Sequence, residues 1–145
     1  MISNRSARRV ASQSIAKAIR LLLQHEQKSP AEVSIVLSDD EFIRELNRTY
    51  RGFDVPTDVL SFPFNDPDVL GDIVISIDTA ERQAQQREIE LVAETVFLAL
   101  HGCLHLLGYN DETEEGYDEM IAKARSVAAE LGYKMEDDWG TLAES

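Results

Sequence analysis

The sequence predicts a layered α/β or α+β domain built on a small sheet, and three observations carry that prediction. Three short apolar stretches read as strands. Val33, Ile35 and Leu37 alternate with other residues, Val59 to Phe62 is closed by Pro63, and Ile73, Val74, Ile75 and Ile77 are nearly continuous, as in a strand covered on both faces. Stretches with helical apolar spacing are interspersed with these strands. The 145 residues suit one domain with one core, and no repeat, low-complexity tract or linker divides them.

In chain order, about Ser6 to Gln27 spaces Val10, Ile15, Ile19, Leu22 and Leu23 as one face of a helix. Its polar face carries Arg5, Arg8, Arg9, Lys17 and Arg20, and Pro30 stops it. After the first strand, Ser38 with Glu41 reads as a capping box for a short helix to about Thr49. Arg51 to Thr57 is irregular, and Asn65 to Asp68 is a turn-rich loop. Asp78 with Glu81 caps a helix over about Thr79 to Arg87. About Ile89 to Leu107 is a long helix, apolar around most of its circumference and therefore central. Gly108 stands where a helix C-terminal glycine belongs. About Thr113 to Leu131 forms the last helix, stopped by Gly132. Residues 133–145 form an acidic tail in which Met135 and Trp139 are the docking candidates.

Lys and Arg total 14 against 27 Asp and Glu, a formal net charge of −13 that by itself argues against nucleic acid as a partner. Cys103 is the single cysteine, which excludes an internal disulfide and points to a reducing compartment. The longest apolar stretch, Val96 to Leu107, is interrupted by His101 and His105 and is too short for a membrane span. No apolar signal-peptide core is visible, so a cytoplasmic location is expected.

The sharpest chemical feature is His101-Gly-Cys-Leu-His105-Leu-Leu-Gly108-Tyr-Asn-Asp111. Histidines four apart on a helix project from one face about a turn apart and can chelate one ion. Gly108 allows the chain to reverse, so that Asp111 returns a carboxylate to the same place. Three ligands with an open fourth position is the arrangement of a catalytic zinc site, which acidifies a water. Burying two imidazoles without a partner on such an apolar helix is costly. Cys103 points away from the pair and reads as a buried structural thiol. The spacing is similar to the His-Glu-x-x-His metalloproteases, but the general-base glutamate is replaced by Gly102. A substrate needing less help fits better. RNA brings its own 2′-hydroxyl, and needs only a base and positive charge at the phosphate.

A second block, Leu46 to Pro63, places Arg51, Asp54, Thr57, Asp58 and Ser61 around one loop and strand start. Arg51 could clamp a phosphate bidentately, although spacing alone favours an ordinary salt bridge with Asp54 or Asp58. Thr57 and Asp58 read as loop-fixing residues. His25 reads as a partner of its helix's C-terminal dipole, Asp72 as loop-fixing, Asp111 to Glu119 as a solvated helix start, and Trp139 as a tail anchor.

Three blocks together resemble the YbeY family of bacterial rRNA maturation endoribonucleases: Leu46 to Pro63, Leu70 to Ser76 (Leu-Gly-Asp-Ile-Val-Ile-Ser) and His101 to Tyr109. The resemblance implies an α+β fold: a small mixed β-sheet flanked by helices, with the metal at the end of a central helix in a cleft. It implies one metallohydrolase domain over residues 1–145. The activity it implies is zinc-dependent, single-strand-specific endoribonuclease action in 16S rRNA 3′-end maturation and ribosome quality control. His101 and His105 match the family's first two zinc ligands, and Arg51 its functionally important arginine. The chain departs at the third ligand. Where the family pattern ends Gly-Tyr-Asp-His, this sequence reads Gly108-Tyr109-Asn110-Asp111, with Met120 still in register. The expected site is therefore His-His-Asp, with Zn²⁺ as cofactor and tolerance of harder divalent ions such as Mn²⁺. Expected partners are ribosomal RNA, components of the 30S subunit and a ribosome-associated GTPase. The rival expectations are a metal-dependent peptidase or other hydrolase, and a non-catalytic ribosome-assembly factor with a structural metal.

On this reading the charge of −13 is unevenly spread. Acids gather in Asp111 to Glu119 and Glu136 to Glu144, while basic residues gather in the first helix and in Arg44 to Arg51. A locally basic face around Arg51, binding bare RNA weakly and with steep salt dependence, is expected.

Overall fold

A computed structural model describes residues 2–6, 10, 12–136 and 139. Nine elements follow in order: β1 (Ile2–Asn4), α1 (Ser12–His25), β2 (Glu32–Ser38), α2 (Asp40–Arg51), β3 (Val59–Pro63), β4 (Val69–Ser76), α3 (Ile77–Arg87), α4 (Leu91–Leu106) and α5 (Glu114–Glu130). They form the expected α+β arrangement, a mixed four-stranded sheet with helices on both faces. The strand order is β1-β2-β4-β3. β1 and β4 both run parallel to β2, while β3 is antiparallel to β4 and forms an edge.

Alternation along the strands decides which helix covers which face. On one face Val33, Ile35 and Leu37 of β2 and Ile73 and Ile75 of β4 join Ile15, Leu22, Phe97, Leu100 and Leu104 in the main core. Each such buried side chain is worth about 1.5–3 kcal/mol. On the opposite face Leu60 and Val74 meet Ile43 of α2, with Phe42, Leu46 and Phe62 around them. α4 is the central helix, packed against α1, α3, α5 and the β3–β4 side of the sheet. It can lie close to the sheet because residue 102 is glycine. A Cβ there would stand 2.9 Å from Ile73 Cγ2 and 3.1 Å from Ser61 Oγ. The Ser61 hydroxyl uses that proximity to donate to the Gly102 carbonyl at 3.0 Å.

Several boundaries differ from the sequence expectation. The first helix begins at Ser12 rather than Ser6, because Ile2–Asn4 form β1, which pairs with β2 and leaves less chain for helix. Arg8, Arg9 and most of the acidic tail lie outside the described residues. Ser38 does not cap α2. It is fully buried at the end of β2, with its hydroxyl donating to the Ile75 carbonyl, and Asp39 caps instead by accepting from the Phe42 N–H at 2.8 Å. Likewise Ser76, not Asp78, caps α3. Asp78 accepts from the Asp40 N–H at 3.0 Å and so serves the neighbouring helix. Ser76, Thr79 and Arg82 all donate to the Asp40 carboxylate, which ties the starts of α2 and α3 together. Those bonds and the Arg82 charge outweigh desolvation and hold Asp40 below the usual carboxylate range.

Candidate metal centre

α4 delivers His101 and His105 from its last two turns, one above the other on a single face. At Gly108 the chain takes φ +98, a conformation that favours glycine, and turns back towards the helix. Tyr109 fixes this reversal twice. Its N–H donates to the Leu104 carbonyl, and its hydroxyl donates to Glu26 Oε1 at 2.6 Å. The next loop is held by Asn110, whose side chain accepts from the Glu112 N–H, and by Thr113, which caps α5 through the Gly116 N–H. Gly116 lies so close to the Asn110 carbonyl that no side chain fits there. The acidic start of α5 is exposed, as expected.

This loop brings Asp111 to the two imidazoles. His101 Nε2 and His105 Nε2 are 3.3 Å apart, and Asp111 Oδ2 lies 3.3 Å from His105 Nε2 and 3.9 Å from His101 Nε2. Among the described residues, these three form the group of histidine and acid ligands close enough to hold one ion. The triangle fits the chemistry. Ligands about 2.1 Å from a tetrahedral zinc ion are about 3.4 Å from each other. Burial and the neighbouring His105 push His101 down to about 4 despite the opposing pull of Asp111, which favours the neutral ring, the form that can ligate a metal. The group could therefore hold a divalent ion. Cys103 faces away and is fully buried, with burial pushing its thiol up to about 12.

The three side chains open into a cleft of about 350 Å³ that Arg51, Asp58, Ser61, Tyr117 and Trp139 also line. Arg51 is the last residue of α2, and Gly52 (φ +79) ends that helix. It does not pair with Asp54 or Asp58 as spacing alone suggested. Arg44 takes Asp54 through two hydrogen bonds of 2.9 and 3.2 Å, while Arg51 reaches the edge of β3, donates to the Ser61 carbonyl at 3.0 Å and lies over the Phe62 ring. Arg48 pairs with Glu45. The basic face expected around Arg51 is thus largely neutralised, leaving Arg51 as the cation of this cluster that faces the cleft without a carboxylate partner among the described residues. Asp58 is the loop-fixing residue expected. It is 4% exposed and accepts from the Val59 N–H at 2.7 Å, and burial pushes it up to about 6.

Some of the surroundings were not expected from sequence. Asp72, read as a loop-fixing residue where the strand begins, sits inside β4 opposite Phe62, because the strand starts earlier, at Val69. His25 faces Glu130 of α5 at 2.7 Å. Behind the site, Glu94 is fully buried and receives the Trp139 indole N–H at 3.0 Å, with Arg87 Nε 3.3 Å away. Burial pushes Glu94 up to about 7 against the pull of Trp139 and Arg87. The one signal for this cluster was an acid in an otherwise apolar helix.

Comparison with known proteins places these features in a family context. The family model described as Endoribonuclease YbeY matches residues 1–132. An Endoribonuclease YbeY of Moorella thermoacetica is 48% identical over 117 residues, covering 72% of this chain and 75% of that protein. The one from Bacillus velezensis is 40% identical over 136 residues, covering 84% and 87%. The solution structure of TM1509 from Thermotoga maritima aligns with a TM-score of 0.62 at 27% identity, over 97% of this chain and 99% of that one.

Proposed function

This chain belongs to the YbeY family of endoribonucleases, and on that premise we propose a zinc-dependent cleavage of single-stranded ribosomal RNA at the cleft between α4 and β3. The observation that carries the proposal is the placement of three ligand atoms 3.3–3.9 Å apart in the same cleft as Arg51. His101, His105 and Asp111 are the residues that would hold the ion. When bound there, a divalent ion would supply positive charge for a phosphoryl oxygen and lower the pKa of a water. Arg51 contributes the second positive charge. Its guanidinium, anchored by the Ser61 carbonyl, presents its remaining N–H groups to a phosphate oxygen where charge develops during cleavage. The carboxylate of Asp111 lowers the net charge of the centre relative to a third imidazole, which supports tolerance of Mn²⁺ as well as Zn²⁺.

The position of Gly102 bears on the peptidase alternative. That chemistry needs a glutamate after the first histidine, and α4 packs so closely against Ile73 and Ser61 that a side chain at 102 would have to displace them. RNA, with an internal nucleophile, does not require that group. The continuous sheet and main core that serve the site support reading residues 1–145 as one domain. No single helix among the described residues is long and apolar enough to cross a membrane, which fits the cytoplasmic role proposed here. In that role the substrate is the 3′ end of 16S rRNA within 30S components, with a ribosome-associated GTPase as a partner.

The test is cleavage of a single-stranded rRNA fragment and its duplex form by Zn²⁺-loaded and chelator-stripped protein. Cleavage restricted to the single strand and to the loaded protein supports the proposal. Metal-independent cleavage, or none with any divalent ion, removes it; the latter leaves the assembly-factor reading.

A further inference from the structure

His101 lacks the device that usually orients a metal-binding histidine. Such a ring normally donates its second N–H to a carboxylate, carbonyl or water. Here Nδ1 of His101 is buried without a hydrogen-bond partner. What holds the ring is packing. His105 stands against it with ring centroids 4.8 Å apart, and on another side the indole of Trp139 lies 5.7 Å away, tilted by 59°.

Trp139 is itself fixed at several points, although it belongs to the tail beyond residue 132, where the family match ends. It is 2% exposed. Its indole N–H donates to the buried Glu94, the Arg87 guanidinium lies 5.2 Å from its ring, and Phe97 packs edge-on at 6.0 Å. Its carbonyl accepts from the Tyr117 hydroxyl at 3.0 Å, and Tyr117 and Trp139 both line the cleft. A tail residue thus supplies part of the wall of the metal cleft and a face of packing for one proposed ligand.

We propose that Trp139 is a positioning residue for His101, so that docking of the C-terminal segment and binding of a divalent ion at His101, His105 and Asp111 favour each other. This rests on the metal reading of that group, not on the RNA substrate. Coupling of this kind is reciprocal: if the docked indole orders His101 for the ion, the bound ion must stabilise the docked indole.

Trp139 is the single tryptophan, so its fluorescence reports on the tail alone. The full chain would be titrated with Zn²⁺, following uptake by competition with a chromophoric chelator and Trp139 emission and iodide quenching in parallel. The expected result is reduced quenching and shifted emission with the same midpoint as uptake, both lost in His105→Ala. Trp139→Ala should weaken Zn²⁺ binding about tenfold and alter the visible spectrum of the Co²⁺-loaded protein, with Trp139→Phe intermediate. Zinc uptake that leaves emission and quenching of the unaltered chain unchanged would overturn the coupling, whether or not the alanine variant folds. So would a folded Trp139→Ala with the original affinity and Co²⁺ spectrum. Failure of the unaltered chain to take up any divalent ion would remove the metal reading itself, and this proposal with it.

Discussion

Asp111 Oδ2 lies 3.3 Å from His105 Nε2, which puts a carboxylate where the YbeY pattern has a histidine and still closes a ligand triangle. The substitution therefore changes the charge of the site without opening it. Asp111→Ala should lower Zn²⁺ affinity by at least about tenfold while leaving the fold intact, because Asp111 is on a loop and partly exposed. Asp111→His should retain Zn²⁺ and lose tolerance of Mn²⁺, since imidazole suits zinc and carboxylate suits harder ions. Isothermal titration with each ion checks both. Unchanged affinity in Asp111→Ala would take the aspartate out of the site.

Arg51 is expected to act on the phosphate and not on the metal. Arg51→Ala should reduce RNA cleavage by about a hundredfold or more, the scale on which preorganised charge stabilises a transition state, with Zn²⁺ affinity unchanged. Arg51→Lys should recover little, because one ammonium cannot hold the Ser61 carbonyl and a phosphate with the same planar fork. Cleavage kinetics beside metal titration separate the two effects.

The charge of −13 and the pairing of Arg44 and Arg48 with acids make bare RNA a weak ligand. Affinity for single-stranded RNA falls with salt in proportion to the phosphates contacted, so one arginine at the cleft without a carboxylate partner among the described residues implies a shallow dependence, with a logarithmic slope of about −0.7. This replaces the steep dependence that clustered arginines implied. Fluorescence anisotropy of a labelled single strand across salt concentrations measures it, and a steep slope would show that Arg44 and Arg48 leave their partners on binding.

Glu94 makes stability depend on pH in a definite direction. Its folded value is raised from 4.5 to about 7, so the folded protein binds more protons than the unfolded chain between those values. The resulting stability is fully present below about 4.5 and is lost as pH rises through about 7. Buried Asp58, raised from 3.8 to about 6, acts with the same sign in a lower window. Glu94→Gln removes one of these terms. Its melting temperature minus that of the unaltered protein should become more positive as pH rises from about 5 to about 8, read by thermal unfolding at each pH.

Gly102 holds α4 against the sheet, and Gly102→Ala should destabilise the protein by about 1–3 kcal/mol, the usual cost of forcing extra volume into a packed contact. Calorimetry would show this as a fall in melting temperature.

Much of this was legible in the sequence because it depends on local spacing. The four-residue separation of His101 and His105 and the reversal at Gly108 bring the three candidate ligands together with little help from the rest of the fold. Strand periodicity likewise located β2, β3 and the core of β4. What was not legible depends on long-range partners. Ser38 and Asp78 look like helix caps in the sequence, but the Ser38 hydroxyl donates to the Ile75 carbonyl across the sheet and Asp78 accepts from the Asp40 N–H, so Asp39 and Ser76 cap instead. β1 is three residues whose strand identity comes from pairing with β2. Spacing alone favours a nearby acid for Arg51 because it cannot show that Arg44, two turns earlier on the same face of α2, already holds Asp54. The Glu94–Trp139 bond joins residues 45 apart, and no local pattern encodes it.

The central question is whether an ion at His101, His105 and Asp111 is needed for RNA cleavage. The direct measurement is cleavage of a single-stranded 16S rRNA fragment by Zn²⁺-loaded protein and by His101→Ala purified and loaded identically. Loss of bound zinc and of cleavage together in His101→Ala is the predicted result. Equal cleavage by both proteins would contradict it and place the activity elsewhere.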